Sequence, residues 1–369
     1  MTINKIFSGE SIIRRLKEAI LRETLPSKTY KIMEICGTHT MAIARYGIKS
    51  VIPPNIQLVS GPGCPVCVTS QAEIDNCIEL AGYENVTIAT FGDMLRVVGS
   101  DGCSLYRTKA LGADVRTVYS PLDAIKMARK ENSRHFAFIA VGFETTAPMI
   151  AGLVKSAYEK SIGNISIASL CKTIPKALDM LLSDSGAKID GFLCPGNVTI
   201  ITGLSIYKPI VESGRAAVVA GFEPAEILSS ILEVVRQING GKYAVVNNYK
   251  RAVREYGNAK ARALINEVFE PSDARWRGLG LLPLSGMSVR KKYEAFDAYK
   301  LFGLNRYREE KPTKCRCGDI LKGMIIPSEC PLFGKVCTPE TAEGPCMVSS
   351  EGACAAYYKY SARGEQCLK

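Results

Sequence analysis

The 369-residue chain carries 14 cysteines but only two histidines, and its thiols are unevenly placed. Half of them, Cys315, Cys317, Cys330, Cys337, Cys346, Cys354 and Cys367, fall in the C-terminal segment. A smaller focus lies near the start, where Cys36 stands beside His39 and Cys64-Pro65-Val66-Cys67 follows. Thiolates are both nucleophiles and soft metal ligands, so the pattern points to a metal centre and a redox dithiol in one molecule.

Each focus has its own chemistry. Cys36-Gly37-Thr38-His39-Thr40 follows an expected strand, which places Cys36 on a loop or at a helix N-terminus. Oriented backbone N–H groups lower a thiol pKa there, and a neighbouring imidazole lowers it further. The same residues also allow a buried cysteine with a loop-capping histidine. His135 abuts an expected strand and reads as structural. Cys64 and Cys67 form the chain's one Cys-x-x-Cys, on a turn stiffened by Gly61, Pro62, Gly63 and Pro65. Two thiols at that spacing close a reversible disulfide or grip a metal, for which Cys36 and His39 are natural further ligands.

The tail holds no Cys-x-x-Cys. Cys315-Arg316-Cys317 is followed by single thiols at wide intervals among prolines and glycines. Zinc ribbons usually pair thiols two residues apart, whereas loops presenting single thiolates from several sides suit an iron–sulfur cluster. Spacing does not say which four would bind.

These residues need a scaffold. Ser11–Thr24 has apolar residues at helical spacing and predicts an amphipathic helix. Eight short apolar runs read as strands: Tyr30–Ile35, Ile56–Ser60, Val86–Thr90, Val115–Tyr119, Phe136–Val141, Ile165–Leu170, Gly191–Cys194 and Ala216–Ala220. Their alternation with helical stretches predicts an α/β fold with parallel sheets. A weak repeat pairs Cys36–Thr40 with Gly142–Thr146, Gly61–Cys64 with Cys194–Asn197, and Phe91–Asp93 with Gly221–Glu223, each just after a strand. Ligands of open α/β sheets bind at that end. The expectation is two related α/β domains, 28–120 and 121–220, facing one cleft. A mainly helical and loop-rich third domain, 221–369, would open with helices Pro224–Arg236 and Tyr249–Phe269 and a glycine-rich Arg277–Ser285. The N-terminal helix, within 1–27, is free to pack on any of them.

Composition narrows the function. With 47% hydrophobic and 22% charged residues, the chain is that of a folded globular protein. No apolar run reaches the ~20 residues that span a bilayer, and a cytoplasmic location with no membrane partner is expected. Thiols are kept reduced there, which favours metal or redox use. The net charge of +11 is scattered, so it reads as a solvated surface rather than a nucleic-acid site. Neither a phosphate loop nor a dinucleotide fingerprint is present.

Taken together, Cys36-Gly37-Thr38-His39-Thr40, Gly61-Pro62-Gly63-Cys64-Pro65-Val66-Cys67, Cys330-Pro331-Leu332-Phe333-Gly334 and the run from Gly344-Pro345-Cys346 through Ser349-Ser350-Glu351-Gly352-Ala353-Cys354 to Tyr358 resemble the HypD family of NiFe-hydrogenase maturation factors. The resemblance covers essentially the whole chain. It implies a metallochaperone-like scaffold, not a conventional turnover enzyme, that works with HypC and HypE. On it the Fe(CN)2CO unit of the hydrogenase active site is assembled, with cyanide arriving as a thiocyanate on HypE. The unit then passes to the hydrogenase large subunit. The resemblance further implies a 4Fe-4S cluster. Carried over, Cys36 would ligate the iron of the precursor with His39 assisting, and Cys64 and Cys67 would be the redox dithiol. Cys317, Cys330, Cys337 and Cys354 would hold the cluster, with Cys315 as the alternative to Cys317. A general cluster-linked thiol–disulfide reductase is the competing reading.

Overall fold

The structure is a computed structural model that describes residues 3–184, 186–310 and 313–366. Cys367 lies outside the described residues. Eleven strands are present among them: β1 (Tyr30–Glu34), β2 (Ile56–Ser60), β3 (Val86–Thr90), β4 (Asp114–Thr117), β5 (His135–Ala140), β6 (Ile165–Ser169), β7 (Gly191–Pro195), β8 (Ala216–Ala220), β9 (Val245–Asn247), β10 (Phe269–Trp276) and β11 (Gly280–Val289). The first sheet runs β2-β1-β7-β8-β9 and the second β4-β3-β5-β6, and every pairing within them is parallel. Helices cover their faces, so β3, β6, β7 and β8 are buried along their whole length. That double burial is why these strands read as unbroken apolar runs.

The sheets do not divide the chain at residue 120. Strands β1 and β2 enter the first sheet, whereas β3 and β4 enter the second. The chain returns to the first sheet at β7, where Ile32 sits between Leu58 and Gly191. Each sheet therefore draws two strands from 28–120 and two from 121–220, and the first gains β9 from beyond 220. Pairing is decided by which strand completes the buried face, not by nearness along the chain.

The C-terminal segment is less separate than its composition implies. Helix Pro224–Gly240 covers the first sheet, and its N-terminus carries a capping box between Glu223 and Glu226. The N-terminal helix Ile3–Glu23 packs on it, with Ile20 fully buried and Asn239 donating to the Glu23 carbonyl at 2.6 Å. The expected helix Tyr249–Phe269 is only Ala259–Val268, started by the Asn258 cap. The glycine-rich stretch is the turn of the antiparallel ribbon β10–β11 and the first part of β11.

This ribbon is the joint of the molecule. Thr69 bridges to Trp276 on one side and Lys172 to Gly286 on the other. Trp276 is wholly buried, donates its indole N–H to Ser285 at 2.9 Å and stacks on Phe143. Beside it the buried Lys172 ammonium meets both Glu73 carboxylate oxygens at 2.8 Å. The tail beyond Cys315 forms loops, short helices and the longer helix Ala353–Gln366, and Cys317, Cys330, Cys337, Cys346 and Cys354 share one apolar core with Cys64, Cys67, Ile88 and Ala137. Among the described residues, no helix is long and apolar enough to cross a membrane.

Candidate functional site

The carboxyl ends of strands from both sheets meet at a cavity of about 130 Å³. Cys36 and Gly63 line it from the first sheet, with Asn197 beyond β7. Phe143 and Thr146 line it from the second sheet, and Glu351 reaches in from the tail. The cleft expected from the repeated strand-end motifs is thus present, and it has a third wall.

Cys36 caps the helix Gly37–Arg45 with extended backbone angles, φ −152° and ψ 120°. Its thiol is 3.8 Å from Asn197 Oδ1. Close packing surrounds it on two sides. A Cβ on Gly63 would lie 2.1 Å from the Cys36 nitrogen, and one on Gly37 would lie 2.5 Å from Glu351 Cβ. The Gly37 N–H donates to the Gly63 carbonyl at 2.9 Å, so the Cys36 helix and the Cys64 turn are joined backbone to backbone.

The electrostatics differ from the sequence expectation. Burial, then the nearby Glu351 and Glu34, push the Cys36 thiol up to about 12, outweighing the His39 backbone N–H and Thr38 hydroxyl that favour the thiolate. The His39 imidazole is not among the groups acting on Cys36. Its Nε2–H donates to the Gly221 carbonyl at 2.9 Å, its ring packs on Phe222, and burial pushes its pKa down to about 4. His39 therefore ties the Cys36 helix to the end of β8 as a neutral group. Burial likewise pushes Glu34 up to about 8. Its carboxyl accepts from the Cys36 N–H at 3.3 Å and from Thr40 at 2.5 Å, and it borders a second, more apolar cavity of about 280 Å³.

Cys64 and Cys67 are joined as a disulfide, with Cα atoms 5.2 Å apart. The Cys67 N–H donates to Cys64 Sγ at 3.2 Å, and Ser349 Oγ lies 3.3 Å from the same sulfur. Ser349 opens the loop Ser349–Gly352. Asp93, just after β3, accepts from the Ser350 N–H and hydroxyl, and Glu351 accepts from Thr38 at 2.6 Å. One loop therefore touches the dithiol, the second sheet and the Cys36 helix.

Cys346 and Cys354 flank that loop. The thiols of Cys330, Cys337 and Cys317 act electrostatically on Cys354, and those of Cys354, Cys317 and Cys337 on Cys346. All five are buried. Cys315 donates to Cys317, and with the Arg277 guanidinium this holds Cys317 at about 6 against the opposing effect of burial. Arg277 itself is buried, its Nε without a hydrogen-bond partner. Among the described residues, no three cysteine, histidine or carboxylate side chains are grouped as ligands of one ion. Asn197, Asp93, Ser349, Glu351 and Cys346 were not singled out from sequence, although each lies inside a motif that was.

Two parallel sheets meeting over a buried thiol, a dithiol turn and a loop from a cysteine-rich tail define the class: an α/β protein with a thiol-lined interdomain cleft. The model described as "HypD: Hydrogenase formation hypA family" matches residues 11–361. The chain is 42% identical over 362 residues to hydrogenase maturation factor HypD2 of Bradyrhizobium diazoefficiens, covering 96% of this chain and 95% of that protein. It is 45% identical over 339 residues to HypD of Rhodobacter capsulatus, with 90% of each covered, and 42% identical over 363 residues to HypD of Cupriavidus necator, with 96% of each covered. The chain belongs to the HypD family, and its role is in hydrogenase maturation.

Proposed function

We propose that this chain is the scaffold on which the Fe(CN)2CO unit of a NiFe-hydrogenase is assembled at Cys36, in complex with HypC and with HypE as cyanide donor. One observation carries the reading: Cys36, the Cys64–Cys67 turn and the tail loop Ser349–Glu351 meet at a single cavity. Among the described residues, Cys36 is the only cysteine lining that cavity. A soft thiolate suits the iron of the precursor, and the metal takes the place of the thiol proton. Burial raises the Cys36 pKa and so lowers its thiolate fraction in the free protein.

Release of cyanide from a thiocyanate needs electrons. Closing the dithiol releases two electrons and two protons, the number that converts R–S–CN to R–SH and HCN. Cys317, Cys330, Cys337 and Cys354, with Cys315 as the alternative to Cys317, would hold a 4Fe-4S cluster, which would supply single electrons when bound. The donor chemistry fits, since all four are buried thiols within one apolar core and soft thiolates suit iron. Cys346, beside Cys354, is a further candidate for that set. The competing reading as a general disulfide reductase is disfavoured because Cys64 is only 4% and Cys67 1% exposed. The test is anaerobic purification with HypC, measuring iron, sulfide and the infrared bands of bound CN and CO. Bands on the wild-type complex but not on Cys36→Ala support the scaffold reading, and bands retained on Cys36→Ala overturn it.

A further inference from the structure

Cys64 and Cys67 are not equivalent. Cys64 Sγ has two hydrogen-bonding neighbours, the Cys67 N–H at 3.2 Å and the Ser349 hydroxyl at 3.3 Å. Among the described residues, no hydrogen bond reaches Cys67 Sγ. Ser349 is itself tightly held. It is 1% exposed, its Oγ accepts the Glu351 N–H at 3.2 Å, and its hydroxyl donates to Asp93 Oδ2 at 3.3 Å. The same carboxylate oxygen accepts from the Ser350 N–H at 3.0 Å and the Ser350 hydroxyl at 2.7 Å. Asp93 thus fixes the loop, and the loop fixes a hydroxyl against one sulfur of the pair.

We propose that Ser349, positioned by Asp93, makes Cys64 the charge-bearing and attacking sulfur of the dithiol, with Cys67 as the resolving thiol. The assignment rests on the redox reading of this pair given above. In the reduced state the Ser349 hydroxyl turns its hydrogen from Asp93 Oδ2, which keeps its two Ser350 donors, to the equidistant Cys64 thiolate, and the Cys67 N–H donates to the same sulfur. A hydrogen bond to a charged sulfur is stronger than one to a neutral thiol. The Cys64 thiolate attacks the sulfur of an incoming thiocyanate R–S–X, where X is the cyanide leaving group. A Cys64–S–R bond forms as the S–X bond breaks and X departs with the electron pair. Cys67 then loses its proton and attacks Cys64 Sγ, closing the disulfide and releasing R–S⁻. The pair loses two electrons, R–S–X gains two, and the two thiol protons end on R–S⁻ and X⁻. Asp93 and Ser349 act through Cys64 and are positioning residues.

The experiment uses the full-length chain equilibrated in buffers of reduced and oxidised dithiothreitol. It reads two quantities by peptide mass spectrometry after iodoacetamide: the potential of the pair, and which of the two cysteines is alkylated first. Wild type is expected to label at Cys64 first. Ser349→Ala is expected to slow that labelling about tenfold and destabilise the reduced pair about tenfold, a potential about 30 mV more negative. Ser349→Thr, which keeps the hydroxyl, is expected to restore both. Should Ser349→Ala fail to fold, Asp93→Asn is expected to move both readings in the same direction by about threefold. First labelling at Cys67, or readings unchanged in the variants, overturns the assignment. A pair that never opens in dithiothreitol overturns the redox reading as well, which separates the two failures.

Discussion

Thr38 donates its hydroxyl hydrogen to Glu351 at 2.6 Å, joining the first turn of the Cys36 helix to a loop 313 residues further along the chain. Glu351 is mostly buried, and burial raises its pKa while the Thr38 bond opposes the rise. Through this contact the cysteine-rich tail becomes a wall of the cleft. Substitutions on the two sides of the contact should therefore separate cleanly.

Cys36→Ala should abolish maturation while leaving the visible absorption of an anaerobically purified cluster intact. Cys354→Ala should lose that absorption, because Cys354 sits among Cys337, Cys330 and Cys317. Absorption spectra and sulfide content of the two variants decide the matter. Bleaching by Cys36→Ala would show that the thiols are not divided between two sites.

The neutral His39 makes stability depend on acid. Its folded pKa of about 4 lies below the ordinary 6.5, so the unfolded chain takes up the proton first as pH falls. The stability it contributes is complete above pH 6.5, is lost as pH falls toward 4, and changes no further below that. The loss is about 3 kcal/mol. His39→Gln keeps a donor for the Gly221 carbonyl and cannot titrate, so its profile should lack this loss. Denaturant unfolding followed by the fluorescence of Trp276, the one tryptophan, gives both profiles. Parallel curves would mean that the imidazole is not held neutral.

Gly63→Ala should be far more damaging than its size suggests. The new methyl would meet the Cys36 backbone, which cannot rotate away as a side chain would. A loss of about 3 kcal/mol or more is expected, against a change within about 0.5 kcal/mol for Gly163→Ala, where nothing lies within 4 Å. Equal melting temperatures for the two variants would refute the close approach.

Lys172→Met alone should cost about 3–5 kcal/mol, because it strands the Glu73 carboxylate in the core. Adding Glu73→Gln should recover a large part of that loss, since Gln still serves the Ser70 N–H at the cap of helix Gln71–Ala81. Additive costs in the double variant would show that the two groups are not coupled.

The sheet strands were legible because burial on both faces leaves runs such as Phe136–Ala140 and Ala216–Ala220 wholly apolar. The ribbon was not. Phe269–Trp276 contains Pro271, Ser272 and Asp273, and it is held as a strand by its partner and by Thr69 and Lys172 rather than by its own composition. The cleft was legible from the repeated motifs at strand ends. The orientation of His39 was hidden, since its partner Gly221 lies 182 residues away and only the packing of β8 brings it near. The same holds for Asp93 and Ser349, whose meaning depends on where the tail returns.

The interleaving of the two sheets also governs how the chain comes into being. β1 and β2 pair early, but the other edge of β1 is completed only by Gly191–Leu193. During synthesis at ~5–20 residues per second, that edge waits on the order of ten seconds for its neighbour. A strand with a bare edge is a template for pairing with another nascent chain. Yield in the cell should then be set by the interval between ribosomal emergence of β2 and of β7, and slower translation between them lengthens the hazard.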